Sequence, residues 1–197
     1  MEFNQLIARA AQVNAGSNAK RVRLALLGDS TTQFLHRAIV AQGLISGIQF
    51  EVFEADFGQI ERQVFDPGSD LYAADPEYVV IAHTAKKLLG KFYGLSSEAH
   101  RNWAADMGQH YRDLIEQIGS MCKAKVLILN IEELDDKVFG HFANKVGLSW
   151  LNQVRRLNVA LMDIAEAVGN VFIVDVASLH NRLGREAAYS PNIYVST

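Results

Sequence analysis

The sequence predicts an α/β domain: a three-layer α/β/α sandwich around a five-stranded parallel sheet of order 2-1-3-4-5. Three observations lead there. Short apolar runs alternate with longer amphipathic ones, which calls for right-handed β-α-β crossovers and helices on both faces of a parallel sheet. Several of the apolar runs stop abruptly at Gly28, Asn130 or Asp175, as buried parallel strands do where they leave the core. The chain has 197 residues, 49% of them apolar, enough for one domain with a sizeable core.

Each element has its own signal. Residues 1–20 read as a short amphipathic helix followed by a joint with Gly16, Ser17 and Asn18, and residues 21–197 as the core of a single domain. Val22 to Leu27 is the first strand. Thr31 or Thr32 is placed to cap the next helix, which runs to about Gln42 with Phe34, Leu35, Ala38 and Ile39 inward and is broken by Gly43 and Gly47. Ile48 to Phe53 is the second strand, Ile60 to Phe65 a short helix ended by Asp66-Pro67-Gly68, and Tyr78 to Ala82 the third strand. Ala85 to Leu89 is helical and Gly90 to Ser97 a loop. Trp103, Met107, Tyr111, Leu114, Ile115 and Ile118 recur at helical steps within a long helix from about Ala99 to Cys122. Lys125 to Leu129 is the fourth strand, 131–145 an irregular charged stretch, Leu148 to Val168 a helix and Val171 to Val174 the fifth strand. A last short helix and a loop lead to Thr197.

Composition excludes several classes of function. A net charge of −3 gives no general attraction to nucleic acid or anionic lipid. No apolar run is long enough to span a bilayer as a helix. Cys122 is the only cysteine, which fits a reducing cytoplasm as the expected location. The Gly-x-Gly-x-x-Gly dinucleotide pattern is absent, and no His/Cys/Asp/Glu set has zinc spacing, so no metal or cofactor is expected in this chain. His36, His100 and His110 fall in or near helices and read as surface or satisfied side chains.

In a sheet of this flavodoxin-like order, the loops after the strands gather at one edge. Those loops carry Asp29-Ser30, Asp56 to Gln59, His83-Thr84, Asn130 to Glu133 and Asp175. Ser30 stands just past a strand at a helix start, where a hydroxyl is exposed near free amide groups. Such a serine serves as a nucleophile if a base activates it, or as a plain cap. Gly28, Asp29, Thr31, Gln59, Thr84 and Asn130 are candidate binding residues around it. His83 is the strand-end candidate for the base; His141, in a loop after the fourth strand, is placed to fold over the site.

The Gly28-Asp29-Ser30 loop, followed by Gly58 after the second strand, resembles the SGNH hydrolase superfamily. The resemblance implies Ser30 as nucleophile and Gly58 as an oxyanion-hole donor. The family's Gly-x-Asn-Asp element corresponds to His83-Thr84-Ala85-Lys86, with Ala85 where the asparagine belongs. Its Asp-x-x-His element has no counterpart: Asp175 and His180 are too far apart and too early, and Tyr189-Ser190-Pro191-Asn192 has no histidine.

A closer resemblance runs through Leu26 to Leu35, Glu54 to Phe65, Asp66 to Tyr72, Asp135 to Lys145 and Leu183-Gly184-Arg185. These segments are similar to the amino-terminal domain of FkbH-like proteins. In those, an SGNH-like domain precedes a phosphatase-type domain of the haloacid dehalogenase superfamily, subfamily IIIC. The resemblance implies a weakly catalytic or non-catalytic domain that assists in loading a glyceryl or related acyl unit, from a phosphorylated precursor, onto an acyl carrier protein. It also implies relatives that continue past Thr197, and magnesium only in the attached phosphatase-type domain, since no Asp-x-Asp occurs here. The alternative is an SGNH-type esterase or acyl transferase using Ser30.

Overall fold

Strands β1 (Lys20–Gly28), β2 (Ile48–Glu54), β3 (Tyr78–Ala82), β4 (Lys125–Leu129) and β5 (Val171–Val174) form one sheet in a computed structural model that describes residues 2–13 and 19–184. The order is β2-β1-β3-β4-β5 and every pairing is parallel, as expected from the crossover pattern. Helices α1 (Phe3–Ala10), α2 (Gln33–Ile45), α3 (Ile60–Phe65), α4 (Asp70–Ala73), α5 (Ala85–Tyr93), α6 (Ser97–Met121), α7 (Trp150–Ala167) and α8 (Val176–Leu183) cover the sheet on both sides, and Gly140–Asn144 forms a 3-10 turn. The Gly16-Ser17-Asn18 joint and everything from Arg185 on, with Tyr189 and Asn192, lie outside the described residues.

Strand alternation divides the core in two. Ala25, Leu27, Val79, Ile81, Val126 and Ile128 face the larger cluster, where they meet Tyr111 and Leu114 of α6 and Trp150 and Leu157 of α7. Leu24, Leu26 and Val80 face the smaller one, with Ile39 of α2 packed against them. Each large side chain buried this way contributes about 1.5–3 kcal/mol. The sheet axis is therefore anchored chiefly through α6 and α7, and the loops at its carboxyl edge rest on that base.

Several local expectations are corrected. Gly43 does not end α2 but lies inside it, because a Cβ there would come within 2.4 Å of the Phe50 ring; the glycine lets helix and strand approach closely. Phe34 and Leu35 are not inward: they are 66% and 39% exposed. Phe34 instead meets Phe3 of α1 edge-on, with ring centroids 5.3 Å apart. Thr32 occupies the cap position of α2, yet its hydroxyl donates to Glu54 Oε1 at 2.6 Å rather than closing the helix end. Gly90 does not stop α5, which runs on to Tyr93 and buries Phe92. The extra turn brings Phe92 against Trp103 and Trp150, whose burial outweighs the cost of one helical glycine, about 1 kcal/mol.

Candidate functional site

The carboxyl edge of the sheet is built around β1 and β3, which pair through Gly28 and Ala82. Gly28 is demanded by the turn: a Cβ would lie 2.5 Å from Thr32 Cγ2 and 2.9 Å from the Ser30 carbonyl. Asp29 follows, almost fully buried. Its N–H donates to the Ala82 carbonyl at 3.2 Å. Its carboxylate accepts the Thr84 N–H at 3.1 and 3.0 Å and the Thr84 hydroxyl at 3.0 Å. A buried carboxylate needs such donors to offset its lost hydration. Asp29 thus staples the loop after β1 to the loop after β3.

Ser30 is left half-buried on top of that staple. Its Oγ lies 3.3 Å from Thr84 Oγ1, and no imidazole is bonded to it among the described residues. Gly58 is in the left-handed region at φ +72°, where L side chains are strained. Its N–H points back and donates to the Gly28 carbonyl at 2.9 Å. That amide is occupied by the fold, which brings the loop after β2 against the loop after β1.

Ser30, Thr31, His83, Thr84, Asn130 and His180 line one open cavity of about 200 Å³. The structure therefore brings together most of the side chains that the sequence singled out. His180, which the sequence pattern left outside any motif, joins them because α8 starts directly from β5 and carries it across the edge. Helix geometry supplies the missing signal: His180 lies one and a half turns past the Asp175 cap, on the strand-end side of α8. Asn130 is already engaged. Its Nδ2 donates to Asp175 Oδ1 at 2.8 Å and its Oδ1 accepts the Ala177 N–H at 3.0 Å. Asp175 also caps α8 through the Ser178 N–H, and these donors hold its carboxyl below the usual carboxylate range.

Two expected residues fall elsewhere. Gln59 sits at the start of α3, where Arg62 Nη1 approaches its Oε1 at 3.4 Å, and it does not line the cavity. His141 lines a separate cavity of about 290 Å³ with Asp135, Asp136 and Arg155. The loop after β4 carries it there because Arg155 of α7 pairs with Glu133 at 2.7 Å and draws the loop toward α7.

His83 touches the cavity, but its ring is held from the other side. Like Val79 and Ile81, it faces the larger core, and its Nδ1 lies 2.8 Å from Tyr111 Oη. The ring is 5% exposed, and burial pushes its pKa down to about 4, against the pull of Asp29 and Glu61. His83 is thus neutral near pH 7. Burial likewise pushes the Tyr111 phenol well above its ordinary value. Beside His83 lie His110 and Glu61, whose Nε2 and Oε1 are 3.4 Å apart. The hydrogen bond from His110 holds the Glu61 carboxyl down at about 2, with burial opposing it. Sequence patterning missed this group because Glu61 and His110 are distant in the chain and meet only where α3 packs on α6. His36 and His100 are satisfied as expected, by Glu54 Oε2 at 2.7 Å and by the Phe92 carbonyl at 2.7 Å.

No curated protein matches the chain. The crystal structure of the N-terminal part of a Bacteroides fragilis protein containing a phosphatase domain, complexed with Mg, superimposes with a TM-score of 0.91 and 34% sequence identity. The match covers 100% of this chain and 51% of that one, so the chain spans about half the length of its structural relative. No described helix is long and apolar enough to cross a membrane. Residues 23–197 match the family described as FkbH, N-terminal domain, and with nearly the whole chain inside that match, the protein belongs to this family.

Proposed function

We propose that the chain is an SGNH-like domain that works with a phosphatase-type domain of the haloacid dehalogenase superfamily, subfamily IIIC. Together they load a glyceryl or related acyl unit, taken from a phosphorylated precursor, onto an acyl carrier protein in the cytoplasm. Magnesium serves the phosphatase-type domain in this reading. The SGNH-like domain contributes binding: the Ser30 cavity receives part of the acyl or phosphorylated substrate, with Thr31 and Thr84 beside it.

One observation carries the accessory reading. The Ser30 hydroxyl meets Thr84, not a histidine, and Thr84 in turn is held by Asp29. A serine without a base loses several orders of magnitude in rate. The Gly58 amide, bonded to Gly28, offers no free donor for an oxyanion. A second reading, esterase or acyl transferase chemistry, is favoured by the presence of His180 in the cavity that holds Ser30. There His180 would take the Ser30 proton as Oγ attacks an acyl carbonyl, and return it to the leaving alcohol or thiol as the bond from the acyl carbon to that group breaks.

Hydrolysis of p-nitrophenyl acetate separates the two. The accessory reading expects equal rates for the wild type and Ser30→Ala; a rate that falls at least a hundredfold in both Ser30→Ala and His180→Asn favours the second. For the accessory reading itself, a carrier protein should be retained by the immobilised chain together with its phosphatase-type domain. Equal retention of the acyl-loaded carrier protein when Thr84→Ala and Ser30→Ala are combined would remove the cavity from the binding role.

A further inference from the structure

Glu61, His83 and His110 form a group of which only His83 also lines the Ser30 cavity. They come from three elements: α3, the end of β3 and α6. One ring nitrogen of each histidine and one carboxylate oxygen of Glu61 all lie within 4.8 Å of one another. Donors held 2.0–2.2 Å from a tetrahedral ion stand about 3.4 Å apart. His110 Nε2 and Glu61 Oε1 are at that spacing already, 3.4 Å. The remaining gaps, none above 4.8 Å, face side chains of Glu61 and His110 that are 48% and 29% exposed, whereas His83 is fixed in the core.

His83 is held as ligating histidines are held. Its Nδ1 is tied to the Tyr111 hydroxyl at 2.8 Å, and Tyr111 is fully buried. Such a partner fixes the ring's orientation, and with the Tyr111 oxygen accepting from Nδ1–H the second nitrogen is left for an ion. Edge-on contact with the Tyr111 ring, centroids 5.3 Å apart, restricts it further. The donor set also selects the ion. Magnesium and calcium want oxygen ligands, whereas two imidazoles with one carboxylate suit zinc and its neighbours.

We propose that Glu61, His83 and His110 bind a divalent transition-metal ion of the zinc class, through two imidazoles and one carboxylate, with a fourth position open to solvent on the Glu61–His110 side. Three protein ligands and one open position are the pattern of reactive rather than purely structural zinc sites. This inference is independent of the role of Ser30.

The test uses the whole chain, stripped with a chelator and titrated with Co²⁺ alone, then with Zn²⁺. Binding of one equivalent of Co²⁺ is expected, with a visible ligand-field band that Zn²⁺ abolishes. His110→Ala and Glu61→Gln change partly exposed side chains and leave the core intact, so they are the variants of choice over the buried His83. Each should weaken Co²⁺ binding by about tenfold or more, and Tyr111→Phe by about tenfold through loss of ring orientation. No band at millimolar Co²⁺, or equal binding by wild type, His110→Ala and Glu61→Gln, would overturn the site and leave a simple Glu61–His110 ion pair beside a buried histidine.

Discussion

On the α6 side of the carboxyl edge, polar groups are each other's partners: His83 bonds Tyr111, and His110 pairs with Glu61. On the α8 side, Ser30 has only a 3.3 Å contact with Thr84, and the cavity between them and His180 is open. The two regions are one loop apart, since His83 and Thr84 are neighbours in sequence. The difference separates structure from reactivity. At His83 and Tyr111, where the partners satisfy one another under burial, substitution costs stability. Where a hydroxyl keeps spare hydrogen-bonding capacity next to solvent, substitution should alter binding and leave the fold alone.

Asp29 lies between the two regions and holds their loops together. Asp29→Ala strands the Thr84 N–H and hydroxyl and should cost about 2–4 kcal/mol in urea unfolding. Asp29→Asn keeps one acceptor oxygen and should cost clearly less. A loss under 0.5 kcal/mol for the alanine variant would mean that the two loops are held by something other than this carboxylate.

The closed side predicts a pH dependence. His83 takes up a proton near its ordinary pKa of 6.5 when unfolded, but only near 4 when buried. Between these values the unfolded chain binds the extra proton, so stability is full above about pH 6.5 and falls as the pH drops to about 4. The expected loss is on the order of 3 kcal/mol. His83→Gln lowers stability at pH 7 but should flatten that slope. Glu61 adds a separate fall at lower pH: its depressed pKa stabilises the fold above 4.5, and that contribution disappears as the pH drops through about 2.

How much of this was legible in the sequence follows from what each residue depends on. Strands β3, β4 and β5 are apolar runs with polar ends, so their limits and the sheet order could be read directly. The ends of α2 and α5 could not, because Gly43 and Gly90 read as breakers until Phe50 and Phe92 show what the helices gain by continuing. Phe34 reads as core because only its type, and not its neighbour Phe3, is visible in a helical pattern. The Ser30 loop and its companions were legible since strand ends converge by topology. The Glu61–His110 contact was not, because it depends on how a six-residue helix lies across α6.

Gly58 tests the open side at smaller cost. An added Cβ would meet nothing within 4 Å, so Gly58→Ala leaves the cavity's shape unchanged and carries only the left-handed backbone penalty, about 1 kcal/mol. Its N–H should stay on the Gly28 carbonyl, with slow amide exchange in both proteins. Fast exchange in the wild type would free this amide for an oxyanion and strengthen the catalytic reading.

Ser30→Ala should have the smallest effect of these substitutions. The hydroxyl is half-buried, its one contact is long, and Thr84 keeps Asp29 without it. Removing Oγ should therefore shift unfolding free energy by less than about 0.5 kcal/mol. A residue so loosely tied to the fold, just past the end of β1 and in a shared cavity, is conspicuous for what it does not stabilise. A loss above about 1.5 kcal/mol would put Ser30 with Asp29 in the staple, and the open side of the edge would then be structural as well.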